Sequence, residues 1–180
     1  YFSDRGRVFQ LRAQEVRDSS PTAGGTPLVN LIEIEPNELI TAVVATASFD
    51  KDIMLLATKK GEIKKTSLRE FETVRRAGLI AMDLEPGDEL VFAKLAREDD
   101  DIIMVSSQGK AIRFSATELR QASRASGGVR GMRISDDDEI VAMETVVPGA
   151  MLLTLSETGL GKRTDFDDYP KHSRGGQGVI

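Results

Sequence analysis

Four stretches of this chain run from a short apolar segment through a polar turn to a glycine. They are Phe2-Ser3-Asp4-Arg5-Gly6, Leu55-Leu56-Ala57-Thr58-Lys59-Lys60-Gly61, Met104-Val105-Ser106-Ser107-Gln108-Gly109 and Leu153-Thr154-Leu155-Ser156-Glu157-Thr158-Gly159, and their glycines lie 55, 48 and 50 residues apart. Nine residues after each glycine comes an acid (Glu15, Glu70, Glu118, Asp168), and ten after it an apolar or aromatic residue (Val16, Phe71, Leu119, Tyr169). Small-residue sites follow at Gly24-Gly25, Ala77-Gly78, Gly127-Gly128 and Gly175-Gly176. An acidic turn then enters an apolar strand at Glu38-Leu39-Ile40, Glu89-Leu90-Val91 and Glu139-Ile140-Val141. A repeat of this length is one supersecondary unit that cannot bury its own faces, so the copies must stack.

Each copy reads as strands. The apolar run, the turn and the alternation after it (Ile63-Lys64-Lys65-Thr66, Ala111-Ile112-Arg113-Phe114) describe a β-hairpin, with the glycine supplying positive φ. Ser67-x-x-Glu70 and Ser115-x-x-Glu118 have capping-box spacing, which predicts one short helical turn after the hairpin. The small-residue site releases the chain into a further strand (79–84, 129–134), and the acidic turn leads into another (90–95). Four short strands per copy make the expected fold all-β and propeller-like, one domain of repeats 1–52, 53–101, 102–150 and a partial 151–180. Neither end of the array closes on itself, so an open arc with an unpaired edge at each end is expected.

Composition sets bounds. Apolar residues at 40% suffice for a core, and charged residues at 29%, with no apolar run near 18 residues, exclude a helical membrane protein. The absence of cysteine excludes disulfides and thiolate metal sites and points to a reducing, cytoplasmic setting. The net charge of −5 taken alone argues against nucleic acid, but the charge is segregated. Between Lys59 and Arg76 seven bases (Lys59, Lys60, Lys64, Lys65, Arg69, Arg75, Arg76) face three acids, whereas Leu79 to Asp101 holds eight acids against Lys94 and Arg97. The third copy repeats this with Lys110, Arg113, Arg120, Arg124, Arg130 and Arg133 against Glu118, followed by five acids and no base from Ser135 to Ala150. Arg5, Arg7, Arg12 and Arg17 mark the first copy, and Lys162, Arg163, Lys171 and Arg174 the fourth. Stacked in register, basic hairpins form one rim and acidic turns another, and a curved basic rim suits a bent phosphate backbone. Lys64, Lys65, Arg75, Arg76, Arg113 and Arg130 are expected to outweigh Lys94 and Arg97 there, and charge reversal at Lys64 and Lys65 is expected to weaken DNA binding with the fold intact.

No catalytic chemistry is legible. Gly161-Lys162-Arg163-Thr164 lacks the phosphate-loop glycine five residues upstream, where Ser156 stands, and the hydroxyl after the lysine, where Arg163 stands. His172 is the single histidine, which leaves no His-based metal cluster or triad. Asp99-Asp100-Asp101 and Asp136-Asp137-Asp138-Glu139 lack the spacing of a dedicated cation loop and read as solvated acidic turns. A protein-binding propeller scaffold is the alternative class, and it would bind its partner with little dependence on salt.

Across its whole length the chain resembles the C-terminal domain of the DNA gyrase A subunit, most specifically in Arg5-Gly6-Arg7-Val8, Thr26-Pro27-Leu28-Val29-Asn30-Leu31, Gly128-Val129-Arg130-Gly131-Met132-Arg133-Ile134 and Gly161-Lys162-Arg163-Thr164. The A-subunit tail of topoisomerase IV is a close relative and ranks second. The resemblance implies a β-pinwheel of four-stranded blades with strands exchanged between neighbours, whose basic outer edge binds and bends double-stranded DNA. It also implies a non-catalytic role in an enzyme that introduces negative supercoils using ATP and Mg, both handled by other parts. The partners it implies are the gyrase A N-terminal domain and the gyrase B subunit; this chain itself needs no cofactor and is expected to be monomeric. The DNA-binding set is then Arg5, Arg7, Lys59, Lys60, Lys64, Lys65, Arg75, Arg76, Lys110, Arg113, Arg124, Arg130, Lys162, Arg163 and Arg174. The family's basic Gly-rich heptapeptide, Gln-Arg-Arg-Gly-Gly-Lys-Gly, is not among these residues. His172-Ser173-Arg174-Gly175-Gly176-Gln177-Gly178 resembles it but occupies the place of Gly127-Gly128 in the repeat. The chain is therefore expected to bind DNA without fixing the handedness of a wrap.

Overall fold

A computed structural model describes residues 1–50 and 52–180. Thirteen strands, joined by turns and short 3-10 segments, make up the regular structure of the described residues. The first hairpin is β1 (Phe2–Ser3) and β2 (Arg7–Val8), and β3 (Ile40–Ala42) returns beside β1. The second copy supplies β4 (Ile53–Thr58), β5 (Glu62–Ser67), β6 (Leu79–Ile80) and β7 (Leu90–Ala96). The third supplies β8 (Asp101–Ser106), β9 (Ala111–Ser115), β10 (Val129–Arg130) and β11 (Ile140–Thr145), and the fourth β12 (Met151–Leu155) and β13 (Gly161–Asp165).

Copies and blades do not coincide. The sheet orders are β3-β1-β2-β6 and β10-β5-β4-β7, so the outermost strand of each four-stranded blade comes from the following copy. Leu79 pairs with Val8, and Val129 with Ile63. The third blade, β11-β8-β9, receives Val179 of the fourth copy opposite Ala111 in the same way. That pairing corrects one detail of the repeat: Val179 corresponds to Val129, so Gln177-Gly178, not Gly175-Gly176, corresponds to Gly127-Gly128. Strand β7 contacts both β3 and β11 at the inner edges, and β6 and β10 lie at the outer edges.

Both faces of a blade are covered, which is why β4 is buried at all six positions. Leu56 and Met54 face the first blade with Phe2, Phe71 and Leu90, while Leu55 and Ala57 face the third with Ile102, Met104 and Phe114. Phe71, Leu119 and Tyr169 share one place in the repeat and pack into successive interblade clusters. In the fourth copy Leu153 is 59% exposed where its counterpart Leu55 is fully buried.

The hairpin glycines share a positive φ, and Gly61 meets a second constraint. Gly6, Gly61, Gly109 and Gly159 have φ between 70° and 92°. At Gly61 the carbonyl also accepts the N–H groups of Gly131 and Met132 from the next copy, and a Cβ would lie 2.5 Å from the Met132 oxygen. The turn is thus closed to side chains by conformation and by its neighbour.

Candidate nucleic-acid interface

The bases divide by element. Those within β5 and β9 are covered. Lys64, in β5, is 2% exposed, and its Nζ donates to the carbonyls of Ala81 (2.6 Å), Arg124 (2.7 Å), Ser126 (2.8 Å) and Ser123 (3.2 Å). Burial lowers its pKa from 10.5 to about 8, with Arg124 acting in the same sense and Glu70 and Asp83 against it. Lys65, on the opposite face of β5, donates to Glu98 Oε2 (2.8 Å) and to the Ala116 carbonyl (3.0 Å). Arg113, its counterpart in β9, pairs with Asp101 (3.1 Å) and donates to the Phe166 carbonyl (2.7 Å). Ala116 and Phe166 correspond in the repeat, so Lys65 and Arg113 make the same link between successive blades. The structure corrects the placement of Lys64 and Lys65 on an exposed rim: both faces of β5 are covered and their charges are already engaged.

The bases at the hairpin turns are neutralised. Arg5 pairs with Glu35 (2.6 Å), and Arg7 with Glu38 (2.8 Å) and Glu35 (3.3 Å) while stacking on Phe9. Lys59 lies 3.1 Å from Glu139 and 3.9 Å from Glu89, and its hydrogen bond with Glu139 raises its pKa. Lys60 remains exposed, with Nζ 3.4 Å from the Pro86 carbonyl.

The acidic turns are only partly solvated. Glu38, Asp88 and Asp138 are buried. Glu38 accepts from Ser3 Oγ, Asp88 from the Lys60 N–H, and Asp138 from Ser107 Oγ and the Gln108 N–H. Burial by itself would raise the Asp138 carboxyl, but its hydrogen bonds more than offset this and hold it below the ordinary value. These acids tie the acidic turn to the hairpin turn, which corrects the reading of Asp138 as solvated, while Asp136, Asp137 and Glu139 are exposed.

Several unengaged cations sit in the segments after the 3-10 turns, here called straps, and on or beside the outermost strands, although Arg97, in the turn between β7 and β8, is also exposed without a side-chain partner among the described residues. Arg75 and Arg76 lie on the strap of the second copy, both exposed, with Arg76 reaching the Asn30 carbonyl at 3.3 Å. Arg120 lies on the third strap, Arg130 is on β10, and Arg133 follows it; all three are exposed and form no side-chain hydrogen bond or ion pair with described residues. Lys162 and Arg163 are exposed on β13, an edge strand here, at the repeat positions of the covered Lys64 and Lys65, and Lys110 is half-buried. Arg124 and Arg174 face inward across the straps, with guanidinium groups on the carbonyls of Ile80 and Arg130. Arg120 and Arg133 belong with the exposed set although the hairpin pattern did not select them; the signal was their place flanking the exchanged strand.

Comparison with known proteins agrees with this architecture. The family described as DNA gyrase C-terminal domain, beta-propeller, matches residues 2–47, 52–97, 100–146 and 150–180. The chain belongs to this gyrase C-terminal domain family. Among gyrase A subunits, that of Mycolicibacterium smegmatis is 40% identical over all of this chain and 22% of its own length, and that of Salmonella typhimurium 38% identical over 99% and 20%. The chain thus spans about a fifth of the gyrase A relatives it matches. A solved gyrase A C-terminal domain superposes with a TM-score of 0.84 at 27% identity, covering 99% of this chain and 57% of that one. A topoisomerase IV C-terminal domain superposes at 0.90 with 23% identity, covering 99% and 56%, which speaks to the fold alone. No helix among the described residues is long and apolar enough to cross a membrane.

Proposed function

We propose that this gyrase A C-terminal domain binds and bends double-stranded DNA along its outer edge. In this reading it is the non-catalytic part of an ATP-dependent topoisomerase that introduces negative supercoils, working with the gyrase A N-terminal domain and gyrase B. The observation that carries the reading is the recurrence of exposed, unengaged cations on the straps and on or beside the exchanged strands (Arg75, Arg120, Arg130, Arg133), while Lys64, Lys65 and Arg113 are consumed by the fold. Such cations can neutralise phosphates without loss of an internal contact, and phosphate contacts carry no sequence information.

A mobility shift against a mixed-sequence duplex at two salt concentrations tests this. The log of the affinity should fall with the log of salt by about 0.9 per phosphate contacted. Salt-independent affinity, or strong preference for one sequence, would defeat the reading and favour a protein-binding scaffold.

A further inference from the structure

The in-register acids of the second and third copies have their partners on the next copy. Glu70 Oε2 accepts the backbone N–H of Arg124 at 2.5 Å, and Glu118 Oε2 that of Arg174 at 3.1 Å. Each arginine then closes the contact from the other side. Arg124 donates to the carbonyl of Ile80, and Arg174 to that of Arg130 at 3.2 Å. Ile80 and Arg130 are both the second residue of an exchanged strand, so one arrangement recurs residue for residue at two successive junctions. The first junction differs. Glu15 accepts from the Arg12 N–H of its own copy, and the strap is shorter, 17 residues from Gly61 to Gly78 against 19 from Gly109 to Gly128.

We propose that Glu70 with Arg124, and Glu118 with Arg174, are latches that orient the straps of the third and fourth copies on the preceding blade, acting as positioning residues for a bent duplex and not as phosphate ligands. The inference rests on the DNA-binding reading above. The third strap carries Arg120 and leads into Arg130, so the latch on its middle sets the direction in which those cations point. A duplex touching one strap does not sense the step between straps. One touching several must follow every step, and its bending energy depends on their sum.

The test uses the full chain with Glu70→Ala/Glu118→Ala, and with Glu70→Gln/Glu118→Gln, which keeps an acceptor oxygen. Affinity is measured for a duplex of about one helical turn, ~10 base pairs. Affinity and end-to-end energy transfer are then measured for one of about 60 base pairs, long enough to require bending. The Ala variant should hold the short duplex within about twofold of wild type, lose roughly tenfold on the long one, and exchange the Arg124 and Arg174 amides about tenfold faster. The Gln variant should restore all three. If the Ala variant lacks a cooperative melt, Arg124→Lys and Arg174→Lys, which keep the charge and lose the guanidinium's reach, make the same comparison. Equal losses on both duplexes, or unchanged bending with the amides exposed, overturns the latch. Failure of the wild type to bind either duplex refutes the DNA reading, while amide exchange still decides whether the acids hold the straps.

Discussion

Replacing Lys64 by methionine probes the buried charge without changing the shape of the blade. In the third copy Ile112 stands at the corresponding position, so an apolar side chain is compatible with the site. At pH 7 two effects oppose. The substitution removes charge-assisted hydrogen bonds to four carbonyls, and it relieves the cost of burying an ammonium. The net change should therefore be small, about 1–2 kcal/mol in either direction. The pH dependence is more telling. Lys64 has its pKa depressed from 10.5 in the unfolded chain to about 8 in the fold. Between those values the unfolded state binds the proton and the folded state does not, so Lys64 adds stability as pH rises from about 8 and has added all of it above the unfolded value. At about 1.4 kcal/mol per pKa unit the upper bound is roughly 3 kcal/mol, and the carbonyls that solvate the ammonium reduce it. Urea denaturation at pH 7, 8.5 and 10 should show wild type gaining about 1–3 kcal/mol on Lys64→Met across the series. Parallel stabilities at all three pH values would refute the buried-ammonium argument.

Lys65→Glu should destabilise the fold by about 3–5 kcal/mol, because it places a carboxylate against Glu98 and the Ala116 carbonyl in a buried site; a urea melt measures it. Gly61→Ala should cost about 2–4 kcal/mol, since both φ at 92° and the Met132 oxygen oppose a Cβ, and a thermal melt reads the loss. Arg130→Gln should leave stability within about 0.5 kcal/mol, since it puts no second carboxylate opposite Glu62, yet lower DNA affinity severalfold and reduce the salt slope by about one, as read by mobility shift.

The repeat was legible because each of its marks answers to a local requirement. A turn that needs positive φ retains glycine, and a strand buried on both faces retains its apolar run, so Gly61 and Leu55 announce themselves without reference to any neighbour. What was not legible is what depends on the neighbour. Ile63-Lys64-Lys65-Thr66 has the appearance of a strand with polar positions toward solvent, and only the presence of blades on both sides buries all four. Glu70 and Glu118 have the spacing of capping-box acids, and 3-10 turns do form there, at Leu68–Phe71 and Ala116–Glu118. Their carboxylates nonetheless turn to the next copy's strap. The place of Gly178, by contrast, was legible in the spacing, since it follows Gly159 by 19 residues as Gly128 follows Gly109, and the pairing of Val179 with Ala111 agrees.

The net charge of −5 misleads for a related reason. Glu38, Asp88 and Asp138 are spent on the chain's own turns, and Lys64, Lys65 and Arg113 on the contacts between blades. Subtracting groups that satisfy one another leaves a residue of charge whose sign varies from place to place, positive along the straps and outermost strands and negative beside the acidic turns. A polyanion senses that local remainder within a Debye length of about 8–10 Å, not the sum over the chain. Lys64, Lys65 and Arg113 are fixed by packing, since altering one strands a buried partner. The strap cations carry no such obligation, so the proposed grip on DNA can change at Arg75 and Arg120 with little consequence for the fold.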